Sequence, residues 1–223
     1  MIPVALEELK HILKSIRTIV IILIFVLFSY GMSSTLSNIT STGDSIAAAY
    51  SSIRLLVFIL GYMFVSTVSN SCINREIETG SIKFVLSKIN KQQFIIGKFI
   101  GIFLFWFICI GTSFTVISFL TNQVDLSILF MLMSVVTYYI SLCVLLSVLV
   151  SKSSTTNFIG LIMGIFFPIV GLWVTLSNEW YNFFMYFFPY EYILKDGYFI
   201  VVPVLISIIY LSIAVVSFSR KEV

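Results

Sequence analysis

NREIETGSIKFVLSKINKQQFIIGK, residues 74–98, is the only strongly charged stretch of appreciable length in a chain of 223 residues, and it lies between two long apolar runs. Five of the 13 Lys and Arg residues fall inside it (Arg75, Lys83, Lys88, Lys91, Lys98), together with Glu76 and Glu78. The chain as a whole is 59% hydrophobic and 10% charged, with a mean hydropathy of +1.09. Those values lie outside the soluble globular range and within the multi-span membrane class. A membrane span takes roughly 20 apolar residues, so the length allows about six transmembrane helices and no separate soluble domain. The expected fold is an all-α polytopic membrane protein forming a single transmembrane domain over 1–223. The small net charge of +3 implies no nucleic acid partner.

Working outward from the charged stretch, the apolar runs divide into spans at 19–36, 53–72, 94–120, 126–150, 158–176 and 198–218. Ahead of them, residues 2–17 wound at helical period place Ile2, Ala5, Leu6, Leu9, Ile12, Leu13 and Ile16 on one face and Glu7, Glu8, Lys10, His11, Lys14 and Arg17 on the other. That division predicts an amphipathic helix lying in the membrane interface. A secretory signal is disfavoured because this charged leader is long and amphipathic. Pro168 falls inside the fifth span, where neighbouring helices can re-satisfy the carbonyl that a proline frees. Residues 178–197, NEWYNFFMYFFPYEYILKDG, form an aromatic-rich segment before the last span.

Counting bases sets the orientation. With both termini inside, Lys10, Lys14, Arg17, the five of the charged stretch, Lys152, Arg220 and Lys221 are cytoplasmic, whereas only Arg54 and Lys195 lie outside. This is a strong positive-inside bias, and it puts residues 74–98 in the cytoplasm and Trp173 and Trp180 near the outer interface. No acid, base or histidine falls near the middle of a span, so the ionisable groups that ion-coupled carriers and charged-ring channels rely on are missing. No phosphate-binding G-x-x-x-x-G-K-[ST] motif is present either, since Gly97-Lys98 is followed by Phe99. Energy for any transport must therefore enter from another chain, and an enzyme acting alone is disfavoured. Cys72, Cys109 and Cys143 are isolated in apolar surroundings and read as buried small hydrophobes, and His11 alone builds no metal site. Gly97/Gly101 and Gly160/Gly164 have the spacing that lets helix backbones approach closely, either within the chain or at a subunit interface.

Within the charged stretch, Thr79 or Ser81 can cap a new helix through its side-chain oxygen. Ile82, Val85, Leu86 and Ile89 then recur at i, i+3, i+4 and i+7, while Lys83, Ser87, Lys88 and Lys91 take the other positions. Phe84 stands off the apolar stripe among the bases, the placement of a knob for a partner's groove. The periodicity by itself also admits a helix held by anionic lipid headgroups. Glu76 and Glu78 favour a protein partner, because carboxylates at an anionic membrane surface are unhelpful unless they pair with a base.

The run Glu76-x-Glu78-x-Gly80-Ser81-Ile82-x-x-Val85-Leu86-Ser87, followed by Lys88 and by Gly97-Lys98 at the start of the third span, resembles the signature between spans two and three of ABC-2 type transporter permeases. Many members carry a proline after the Leu-Ser pair, where this chain has Lys88-Ile89-Asn90. The resemblance implies a coupling segment at 76–91 that docks on a cytoplasmic ATPase through Glu76, Glu78, Gly80, Ser81, Ile82, Lys83, Phe84 and Lys88. It implies a half-size permease pairing with a second permease chain, identical or not, and with two ATPase subunits that bind the ATP and Mg, this chain binding no cofactor of its own. It further implies a bacterial cell membrane and an outer gate in the 178–197 hairpin formed by Trp180, Phe184, Phe188 and Pro189. A pathway lined by Phe, Ile, Leu, Ser and Thr without charge suits an amphipathic substrate, and an antimicrobial or toxin-like peptide, exported or expelled for self-protection, is the expectation. The alternatives are a membrane immunity or structural protein that binds a toxin peptide without ATP, and an intramembrane enzyme.

Overall fold

The computed structural model describes residues 1–39, 45–176, 187–190 and 200–221. Among them there is no strand. The helices are α1 (Ile2–Leu13), α2 (Ile16–Ile39), α3 (Ser45–Ser69), α4 (Asn74–Glu78), α5 (Ile82–Leu86), α6 (Lys91–Thr121), α7 (Leu126–Leu149), α8 (Ser153–Leu176) and α9 (Val201–Ser219). Five are long and apolar enough to cross a membrane, and a sixth is counted if α1 and α2, bent by 77° at their junction, form one broken span. The chain is an all-α polytopic membrane protein.

Helix α7 is apolar all round, as suits a helix surrounded by lipid or by other apolar helices. In its most apolar stretch 83% is buried, against 33% for α8 and 28% for α9, so α7 is the axis of the bundle. It packs against α9, α3, α6 and α8. Asp125 starts it by accepting a hydrogen bond from the Ser127 N–H at 3.1 Å. The preceding helix α6 stops at Asn122, whose φ of 52° is a left-handed conformation that Asn tolerates.

The glycine pairs are used inside the chain. A Cβ at Gly101 would stand 2.7 Å from the Ala5 carbonyl oxygen, and one at Gly97 would stand 2.9 Å from the Val4 Cβ, so this notch in α6 receives α1. Gly160 and Gly164 on α8 receive Asn70 and Met63 of α3 and its following turn. Helix α8 continues through Pro168 and begins at Ser153, five residues ahead of the expected span at 158, for a reason that lies in Glu78.

Candidate docking site

Among the described residues, Lys91, Lys98, Lys152 and Lys221 make their contacts at one end of the bundle, and residues 70–98 are the hub of that end. Asn74, 0% exposed, receives a hydrogen bond on its Oδ1 from the Ser147 hydroxyl of α7 at 3.2 Å, and its amide donates to the Thr156 hydroxyl of α8. The Ile73 and Asn74 N–H groups also donate to Ser147 Oγ, at 3.1 and 3.3 Å. Lys91 donates to the carbonyls of Ser219 and Lys221 at the end of α9, at 3.2 and 2.6 Å. The Ser147 and Lys91 contacts to main-chain groups satisfy N–H and carbonyl groups left over near helix ends. The result is a short segment fastened to α7, α8 and α9 at once.

The electrostatic centre is Lys98. Its ammonium bridges Glu8 of α1 and Glu76 of α4. The side chains of Lys98 and Glu8 are 7% and 8% exposed, that of Glu76 25%. Glu8 is reached only because α1 lies in the Gly97/Gly101 notch, which turns part of its polar face toward α6. A cavity of about 350 Å³ opens beside this triad and is lined by Glu7, His11, Arg75, Thr79 and Ser81 among others.

The two carboxylates assigned to a partner from the sequence therefore have partners in the chain. Glu76 turns inward to Lys98. Glu78 is exposed, but it accepts the Ser153 N–H at 2.9 Å and the Ser153 hydroxyl, which caps α8 and draws the helix start back to Ser153. These two hydrogen bonds hold the Glu78 carboxyl below the usual carboxylate range, with the Lys152 charge adding to the effect.

Between α4 and α5 the chain turns at Gly80, whose φ of +71° is open to glycine and strained for other residues. The segment is thus two five-residue helices, α4 and α5, broken at that turn. Neither Thr79 nor Ser81 caps α5 through its side chain: their hydroxyls pair with each other at 2.9 Å, and both reach back to the Glu76 carbonyl, at 3.4 Å. Ile82 is 1% exposed, and Val85, Leu86 and Ile89 pack against the core with it. Lys83, Ser87 and Lys88 are exposed on the outer side, and between them Phe84 is 80% exposed. Of the eight residues expected to dock, Lys83, Phe84 and Lys88 form a free outer surface; Ile82 and Glu76 do not.

At the far side, Trp180 and Phe184 lie outside the described residues. Phe188 is half-buried, its ring edge-on to Phe167 of α8 with centroids 4.9 Å apart, and Pro189 is buried. Sequence reasoning did not single out Glu8, Asn74, Ser147 and Ser153, and it named Lys98 within the charged stretch and the family signature without its partners. A lysine inside the apolar run that opens α6, one residue after a notch glycine, was the available signal for the Lys98–Glu8 pair.

Residues 2–223 match the model of a family described as ABC-2 family transporter protein. No curated protein matches the chain.

Proposed function

The chain belongs to the ABC-2 transporter family and so is a membrane component of an ABC transport system, and from that premise we propose that it is the permease half of an ATP-driven exporter. ATP and Mg are bound by two ATPase subunits at the basic, cytoplasmic end, and a second permease chain completes the pathway. Both termini are cytoplasmic, and the protein resides in a bacterial cell membrane. Its substrate is an amphipathic peptide of antimicrobial or toxin-like character, which an uncharged lining of aromatic, aliphatic and hydroxyl side chains suits.

The observation that carries this reading is Phe84, 80% exposed among Lys83, Ser87 and Lys88. An aromatic side chain flanked by bases and backed by a buried apolar stripe has the form of an anchor for a partner's groove. Movement of α5 is delivered to the bundle through α4, whose Asn74, Glu76 and Glu78 hold α7, α6 and α8. A push on Phe84 thereby reaches the span helices through α4 and through the packing of α5 on α6. Tagged full-length protein purified from its own membranes in mild detergent should bring down an ATP-hydrolysing subunit. Phe84→Ala should weaken that capture by roughly tenfold or more, the scale of an aromatic anchor. Capture of no ATPase by the parent chain, or equal capture by the variant, overturns the reading.

A further inference from the structure

Residues 187–190, Phe-Phe-Pro-Tyr, do not rest on top of the bundle; they enter it. The Phe187 carbonyl accepts a hydrogen bond from the Tyr138 hydroxyl at 3.0 Å, near the middle of α7. Tyr190 is 0% exposed and stands edge-on to Phe58 of α3, with centroids 4.7 Å apart. Its ring fills the space at Gly171 of α8, where a Cβ would collide with it. Tyr210 of α9 closes the fourth side against Tyr138, at 5.6 Å between centroids.

The walls of this slot carry more hydrogen-bonding capacity than the segment uses. The hydroxyls of Tyr139 and Tyr190 lie beside one another, as do those of Tyr138 and Tyr210, yet Tyr139, Tyr190 and Tyr210 complete no hydrogen bond. A membrane-spanning core gains nothing from unpaired phenols, and phenylalanine would fill the same space. The two wall phenols, Tyr139 and Tyr210, are left with only a neighbouring hydroxyl too poorly placed to bond, and a peptide main chain offers a row of stronger acceptors. The segment already shows the match once, with one main-chain carbonyl on a phenol and aromatic rings on either side.

We propose that the slot between α3, α7, α8 and α9 binds an apolar, aromatic-rich stretch of peptide, and that residues 187–190 are its displaceable built-in occupant. This rests on the peptide-substrate reading and gives it a place and a chemistry. A guest withdraws Tyr190 from the Gly171 position, takes the Tyr138 donor in place of Phe187, and supplies acceptors to Tyr139 and Tyr210.

The test uses the full chain in lipid nanodiscs and a synthetic probe, N-acetyl-Phe-Phe-Pro-Tyr amide with a photoreactive benzoyl group on one Phe, with labelled residues mapped by mass spectrometry. Tyr190→Ala should raise labelling around Tyr138 and Tyr139 severalfold over the parent chain. Adding Tyr138→Phe in that background should lower it about fivefold, the share of one neutral hydrogen bond. Gly171→Ala, which pushes on the same ring, is a second route to the open slot if the Tyr190 variant is unstable. Labelling that Tyr190→Ala and Gly171→Ala leave at the parent level overturns the proposal, as does labelling insensitive to Tyr138→Phe. Photoreactive stearate that labels the opened slot when the peptide does not overturns the peptide chemistry. ATPase capture is read on the same preparations, so that capture without peptide labelling sinks the slot alone, whereas absent capture sinks the ATP-driven reading.

Discussion

Replacing Lys98 by Met removes one cation from between two carboxylates, and the structure sets the size of the effect. Glu8 and Lys98 have side chains 8% and 7% exposed, so deleting the lysine strands Glu8 in a nearly dry site. Breaking a buried ion pair from one side costs about 3–5 kcal/mol, and the 25% exposure of Glu76 places this case at the lower end, about 3 kcal/mol. Glu8 is on α1, which is otherwise held to α6 by the apolar notch at Gly97 and Gly101. The loss should therefore appear as local release of α1, a terminal helix, ahead of global unfolding. At 1.4 kcal/mol per factor of ten, release should increase about a hundredfold. Tryptic cleavage after Lys10, Lys14 and Arg17 reads it directly, because cutting follows the open population when opening and closing are fast. The triple variant Lys98→Met, Glu8→Leu, Glu76→Gln should return close to the parental rate, since neutral replacement of a whole buried network is often harmless. Lys98→Met cleaved at the parental rate, or a triple variant cleaved as fast as the single one, refutes the assignment of the triad as the clasp of α1.

Gly101→Val should also free α1, since its Cβ would lie 2.7 Å from a backbone oxygen that cannot move aside alone; overpacking of this kind costs about 1–3 kcal/mol. Gly111→Ala on the same helix, with no atom within 4 Å of its Cβ, is the matched control and should leave tryptic cleavage unchanged. Ser153→Ala keeps the N–H donor to Glu78 and loses the hydroxyl donor, and should speed hydrogen exchange in the first turn of α8.

Much of this architecture was legible because the bilayer imposes simple rules on a sequence. Apolar runs of span length and the amphipathic division of residues 2–17 follow from transfer energies of single residues and need no knowledge of contacts. Phe84 was legible for a related reason, since an aromatic residue off its own helix's apolar stripe has nowhere in the chain to go. Glu8 was not. A helical projection sorts it with the polar face, and only the position of α1 in the α6 notch, set by residues ninety positions away, makes that face inward. The in-chain partners of Glu76 and Glu78 were hidden for the same reason: a carboxylate looks unattached until Lys98 and Ser153 are placed beside it in space. The break at Gly80 was visible as a glycine, but its left-handed φ, and with it the division into α4 and α5, depends on where the two halves are pinned. Tyr190 carried no local signal, because one tyrosine among many aromatics in an outer segment is indistinguishable from its neighbours until its depth is known.

The enclosure of α7 bears on how the protein is made. Helix α7 leaves the ribosome two helices before α9, its most extensive neighbour, and during that interval the side of α7 bearing Tyr138 faces lipid or an insertion chaperone. Its uniform hydrophobicity lets it wait there, but the phenol has no partner until residues 187–190 and then α9 arrive. The core helix is thus inserted before the last elements that enclose it. A chain arrested after α8 would present the quality-control machinery with a buried polar group exposed to hydrocarbon, a mark that distinguishes an unfinished molecule from a complete one.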